Sequence, residues 1–301
     1  MGSQMILSAV LLALATGPST GLAQHAHGES NKDSAPALSA PEWTKQPLLI
    51  PSAQQGAGGP ERGAAQIQPI GISAREIHVT AADGPADRRQ LAYPVGAQGA
   101  RIEPAAPQAG NYHWLSARQE MGNEVRVASS VWYFSNPGKA PTELLLQNRN
   151  ELEIIPQPLP REHSNYRESE KWRFLVRWLG KPLPGQAVTL ETEAGSRSRF
   201  TTDANGIATV LFPRDLRPAP QDEAGGHQRR LAKFVLSTER PGDGNSPVGH
   251  YVTAFNYVYA ADADRERSLS WGAVFGLIGM FAATPLLRRR QATTEVEKVD
   301  A

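Results

Sequence analysis

Cysteine is absent from the 301 residues. Disulfides, thiol nucleophiles and thiolate-held zinc or iron–sulfur centres are thereby excluded, and any metal must rest on His, carboxylate, Met or backbone donors. A surplus of charge is missing too. The 31 Lys and Arg face 30 Asp and Glu, a formal +1, which supplies no basic field for a polyanion and speaks against nucleic acid as a partner. Also absent are a G-x-S-x-G elbow, an H-E-x-x-H helix, a phosphate-cradling glycine loop, a dinucleotide fingerprint, any internal repeat and any heptad pattern. The sequence therefore reads as a non-enzyme. Its 27 glycines and 24 prolines exceed the globular average without reaching the level of a wholly disordered chain, so part of it is expected to fold.

What is present includes an apolar stretch at each extremity. Met5 to Ala15 reads MILSAVLLALA, the length of a signal-peptide core and too short for an ordinary span. Small residues at Gly21 and Ala23 suit cleavage after Ala23, which makes 1–23 a signal peptide and starts the mature chain at Gln24-His25-Ala26-His27. Cleavage after Gln24 or after Ala26 is the alternative, leaving His25 or His27 at the terminus. At the other end, Leu269 to Leu287 reads LSWGAVFGLIGMFAATPLL, uncharged and close to the roughly 20 residues that cross hydrocarbon. Arg288, Arg289 and Arg290 follow, marking a cytoplasmic side, and Trp271 stands where an interfacial aromatic belongs. These features predict a single-pass protein of the cell inner membrane, with its bulk in the periplasm and a cytoplasmic tail at 288–301. Without the arginine triplet the formal charge falls from +1 to −2, so the exported part is nearly neutral.

Between the extremities the pattern changes once. From 24 to 66 the chain is rich in Ala, Pro, Gly, Ser and Gln, too poor in apolar groups to offset the entropy of ordering, and reads as a flexible tether. Trp43, Leu48, Leu49 and Ile50 interrupt it and are able to dock on the folded part or on a partner. Beyond it the period becomes two. Ile72–Thr80, Gly110–Ala117, Glu124–Phe134, Leu152–Ile155, Trp172–Leu179, Ala187–Glu193, Ile207–Phe212, Ala232–Thr238 and His250–Tyr259 are β-branched or aromatic runs set off by Gly, Pro and Asn. The spacing predicts an all-β chain with two sandwich domains, 67–149 and 150–260, about seven strands belonging to the second. A stalk at 261–268 leads to the span at 269–287. Trp172, Phe174, Val176 and Trp178 share one strand face, with Arg173 and Arg177 on the other. Asp203-Ala204-Asn205-Gly206 predicts a tight reversal between two hairpin strands, Asp and Asn capping the turn and Gly206 supplying positive φ.

The runs LEIIPQPLP (152–160), KWRFLVRWLGKPLPGQAVTL (171–190) and FTTDANGIATVLFP (200–213) resemble the periplasmic component family of nickel and cobalt uptake transporters. A strand followed by G-x-P-x-x-G and T-D-x-x-G-x-A is similar also to transthyretin-like and bacterial immunoglobulin-like modules. The family resemblance implies an exported immunoglobulin-like or transthyretin-like β-sandwich, often with a C-terminal membrane helix, and a histidine near the mature N-terminus that takes part in metal capture. The matching positions are His25 and His27.

The residues themselves point the same way. Two imidazoles two positions apart, with the chance of a terminal amine, suit the nitrogen preference of Cu(II) or Ni(II), and Glu29 adds an oxygen. His163, beside Glu162, is a further candidate ligand. His113 reads as a core-edge histidine; His78, His227 and His250 stand alone. Asp262, Asp264 and Glu266 alternate without the glycine or spacing of a calcium loop. The expectation is a membrane-anchored periplasmic accessory protein that captures a divalent transition metal (Ni, Co or Cu) through His25, His27, Glu29 and His163, and hands it to an inner-membrane transporter. The alternative is a non-catalytic interaction module for an inner-membrane complex.

Overall fold

The computed structural model describes residues 41–52, 63–106, 111–135, 138–149, 151–161, 164–216, 230–242, 248–262 and 271–284. Sixteen strands are defined there. They are β1 (Leu48–Pro51), β2 (Ala65–Ile70), β3 (Glu76–Ala81), β4 (Gln90–Pro94), β5 (Ala100–Ile102), β6 (Tyr112–Met121), β7 (Glu124–Tyr133), β8 (Leu152–Pro156), β9 (Tyr166–Arg167), β10 (Lys171–Trp178), β11 (Lys181–Pro182), β12 (Ala187–Thr192), β13 (Arg197–Thr201), β14 (Ile207–Leu211), β15 (Leu231–Pro241) and β16 (His250–Ala260). A one-turn helix, α1 (Thr142–Leu146), precedes β8.

One long sheet organises the molecule, with strands in the order β13-β12-β15-β16-β7-β6-β3-β4 and β9 added beside β16. Two small sheets cover it. β1-β2-β5 forms the first; β8, β10, β11 and β14 form the second. Successive side chains on a strand point to opposite faces, so neighbouring residues show which sheet covers which face. Trp114 and Val131 belong to one core, Leu115 and Ala128 to the other. The two small sheets thus lie on opposite faces of the long one. The first core holds Ile67, Ile72, Ile77, Val79, Leu115 and Phe134. The second is larger and aromatic, built on Trp114, Tyr166, Phe174, Phe212, Phe234 and Phe255.

β7 and β16 join the two halves in parallel, with Glu124 opposite His250 and Ser129 opposite Phe255. Ser129 Oγ donates to the Ala254 carbonyl at 3.0 Å and Ser130 Oγ to that of Asn256 at 2.8 Å, fixing the seam where the ladder ends. The expected division at 149/150 does not separate the cores, since Tyr112, Trp114, Val131, Leu144 and Leu145 pack with the second.

The tether expected over 24–66 is shorter than its composition implied. Leu48 and Leu49 are buried, and β1 pairs with β2 from Leu48↔Ile70 to Pro51↔Ile67. Asn256 of β16 clamps this segment by accepting from the Leu49 amide and donating to the Leu49 carbonyl, both at 2.8 Å. A short apolar run suffices because Leu48 finds Ile70, Val235 and Ala254 in a small third cluster.

The reversal at Asp203 also differs from expectation. β13 pairs with β12, whereas β14 pairs with β10 in the other sheet. Asp203 Oδ1 accepts from the amides of Asn205 and Ile207 at 2.8 and 3.0 Å, so the turn chemistry is as read, but it carries the chain from one sheet to the next. Gly206 (φ 74°) has Val176 O and Leu183 N where a Cβ would stand, at 2.8 and 2.9 Å, so this turn is pressed onto β10 and only glycine fits.

Of the span expected at 269–287, residues 271–284 form a helix, α2. Trp271, Phe275, Ile278, Met280 and Phe281 on it are exposed. Among the described residues no helix is long and apolar enough to cross a membrane.

Candidate functional site

The expected metal ligands His25, His27, Glu29 and His163 lie outside the described residues, as do His227, Asp264 and Glu266. The remaining histidines are separated by their pairings. His78 Nε2 stands 3.0 Å from Glu76, and His250 Nε2 3.6 Å from Glu239. His113 is buried in the first core, its ring edge-on to Phe134, its Nε2 accepting from the Ala105 amide at 3.0 Å. Burial lowers its pKa to about 4, against a smaller opposing effect of the Asn111 backbone. Asp262 pairs with Arg214 at 3.0 Å. Among the described residues no group of three or more His, Cys, Asp or Glu is placed to hold a metal.

The most concentrated chemistry lies where α1 meets β8. Glu153 on β8 is directly opposite Arg177 on β10, and both side chains are buried. Arg177 Nε donates to Glu153 Oε2 at 2.7 Å; Arg149 Nη1 donates to Oε1 at 3.1 Å. One carboxylate therefore balances two guanidinium groups. The arginines spend their other donors on the helix end: Arg149 on the carbonyls of Leu144 (2.6 Å) and Gln147 (3.0 Å), Arg177 on those of Leu146 (3.1 Å) and Gln147. Carbonyls at a helix C-terminus have no partner within the helix, and cations there are favoured. Arg149 also sits 4.3 Å over the ring of Trp114, a cation–π contact.

Glu151 completes the cluster. Burial and the neighbouring Glu153 charge push its pKa up to about 7, against the pull of Arg118, Arg149 and a hydrogen bond with Ser116. Removing one member of a buried charge group strands the rest, at a cost of about 3–5 kcal/mol. Neither Glu151, Glu153 nor Arg149 stands out in the sequence. The available signal was charge on both sides of an apolar run, with Arg177 at the facing register of a neighbouring strand.

Beside this cluster α1 walls an apolar groove of about 540 Å³, with Leu145, Leu146, Pro156, Leu159, Arg161 and Trp172 among its lining. That is within the range of small-ligand cavities. A second, polar hollow of about 380 Å³ has Asp215, Glu193 and Arg230 on its walls. Its carboxylates are engaged in structure: Asp215 accepts from Thr192 and Tyr259 at 2.6 Å each, and Glu193 binds Lys233 at 2.8 Å. The buried Glu168 accepts the amides of Leu216 and Asp262 at 2.7 and 3.1 Å, so it too acts as a cap on loop backbone.

By architecture the chain is an all-β sandwich protein. No family model matches it, and no curated protein does. Solved structures that align with it include a chain from a bacterial ice-binding adhesin involved in host cell surface retention (13% identity, TM-score 0.22, 72% of this chain and 65% of that one). A Ca2+-stabilised adhesin of an Antarctic bacterium aligns at 11% identity and TM-score 0.22, over 72% of this chain and 49% of that one. The D0–D1 domain of intimin aligns at 12% and 0.22, over 71% and 97%. The chain thus spans about two thirds of the first of these and about half of the second. Likenesses this loose carry no functional inference.

Proposed function

We propose that this chain is a non-catalytic, membrane-anchored periplasmic accessory protein. Its N-terminal arm captures Ni, Co or Cu through His25, His27 and Glu29, with His163 as a further donor, and delivers the ion to an inner-membrane transporter. One observation carries the reading. The arm's root at Leu49 is clamped by Asn256, and Asn256 lies on β16, the last strand before the apolar segment. This supports an arm that joins the folded body at the strand preceding the apolar segment in sequence. The sequence resemblance in 152–213 supports the metal assignment, and the exposed apolar side chains of α2 support the anchor, since a helix apolar all round requires a non-aqueous environment. An immunoglobulin-like or transthyretin-like description of the second half belongs to the same proposal. It is supported by nine strands from Leu152 onward, two of them only two residues long.

Equilibrium dialysis of the purified mature chain against Ni(II), Co(II) and Cu(II) tests the proposal. The expected result is one tightly held ion, lost in the His25→Ala/His27→Ala double variant. Equal binding by that variant overturns it. The apolar groove beside α1 favours a second reading, a docking module for an inner-membrane complex without metal. Co-purification of such a complex that survives chelator and the double variant selects it.

A further inference from the structure

We propose that the apolar groove beside α1 is a binding site for a single-chain carboxylate: the groove holds the hydrocarbon tail and Arg161 takes the acidic head. The lining is poor in donors. Pro141, Pro156, Pro158 and Pro160 stand in it and have no amide hydrogen to offer. Two further amides of the lining are spent, that of Gln157 on the Arg173 carbonyl at 2.8 Å and that of Leu145 on the Pro141 carbonyl at 2.9 Å. The Trp172 indole is spent as well, its Nε1 donating to Glu170 at 3.0 Å. A peptide laid here would bury carbonyls with few donors to meet them, which is costly, and prolines block the addition of a strand along 156–160. A hydrocarbon chain makes no such demand, and about 540 Å³ is the size of a small-ligand site.

The head group follows from charge. Arg161 is the single charged side chain in the lining, so the ionic partner it selects is an anion, which a guanidinium binds through charge-assisted hydrogen bonds. Ser164, whose amide donates to the Arg161 carbonyl at 2.6 Å, brings a hydroxyl to the same lining. The walls are set in advance. Arg149 and Arg177 hold the end of α1 through the carbonyls of Leu144, Leu146 and Gln147, and Trp172 packs edge-on to Tyr166 at 4.8 Å, so little ordering remains to oppose binding. Leu146 is left 58% exposed, an apolar side chain that a tail in the groove covers.

The test is equilibrium dialysis of the full chain in lipid nanodiscs against octanoate, octanol and octylamine, with chelator throughout and uptake by empty discs subtracted. Because chelator removes metal, failure here leaves metal capture by the N-terminal arm untouched. One octanoate is expected to bind each chain saturably, with octylamine weaker by about tenfold or more. Arg161→Gln weakens octanoate about tenfold and leaves octanol unchanged, whereas Leu146→Asp weakens both; the two substituted positions are exposed. Octanoate uptake no greater than that of empty discs, octylamine binding as tightly as octanoate, or wild-type octanoate affinity in either variant overturns the site. A membrane protein that co-purifies with the wild type, is lost in Leu146→Asp and is not displaced by octanoate overturns it too, in favour of a protein-docking surface.

Discussion

The two cores share one sheet and differ in what fills them. The first is closed by a three-stranded sheet and packed with Ile, Val, Ala and Leu around a single Phe134. The second is closed by four strands and packed with rings, Tyr166 alone meeting Trp172, Phe174, Phe212, Phe234 and Tyr257 at centroid distances of 4.8–5.9 Å. Ring pairs add about 0.5–1.5 kcal/mol beyond their burial, so the second core is a mutually dependent cluster and the first an assembly of small independent contacts. The ionisable groups divide in the same way. The first core buries a lone histidine; the second carries at its edge the Arg149, Glu151, Glu153 and Arg177 cluster.

Breaking the aromatic cluster is expected to have the largest effect. Phe234 is fully buried and touches Tyr166, Phe212, Phe255 and Tyr259. Phe234→Ala is expected to destabilise by about 3–5 kcal/mol, read by chemical denaturation. A loss below about 1 kcal/mol would show that the rings do not act as a unit.

The histidine of the first core sharpens the contrast through pH. His113 has a pKa of about 4 when folded against 6.5 when unfolded, so the unfolded chain binds more protons between those values. Its contribution is intact above pH 6.5, declines as pH falls through that window, and amounts to about 3 kcal/mol. Glu151 runs the opposite way, its effect being lost stability as pH rises from 4.5 toward 7. The two slopes offset one another in the wild type. His113→Leu is therefore expected to unmask the Glu151 slope, stability falling with pH across 5–7 in denaturant titrations. An unchanged profile would remove His113 from the account.

The smallest effect is expected at the contact between the two halves. Asn256→Ala leaves the Leu49 amide and carbonyl without their partner, a loss of about 2 kcal/mol. Amide exchange across residues 48–51 is expected to accelerate more than that of either core. Uniform acceleration would mean that β1 is integral to the body and not a separately docked segment.

Much of this contrast was visible in the sequence. The strands expected at Glu124–Phe134, Leu152–Ile155, Trp172–Leu179 and His250–Tyr259 match β7, β8, β10 and β16 within a residue or two, because period two with bulky side chains leaves few alternatives. β2 and β5 escaped notice. AQIQPI carries a proline and two glutamines, and ARI spans three residues; their stability comes from partners distant in sequence. The same reason hid the cluster at α1. Arg149, Glu153 and Arg177 are ordinary charges until β8 and β10 bring them into register, and the turn at Asp203 was legible as a turn but not as a passage between sheets. The metal candidates His25, His27, Glu29 and His163 were read from local pattern and resemblance, and lie outside the described residues.

The parallel seam has a kinetic consequence. β16 is the final strand and sits at the middle of the long sheet, between β15 and β7. The second core, which includes Phe255 and Tyr259, is not complete until residues near 260 have emerged from the ribosome, whereas the first draws only on residues 49–134. A topology with such distant partners folds slowly and leaves the edge of β7 open throughout synthesis, a period in which strand-capturing chaperones have their best access to the chain.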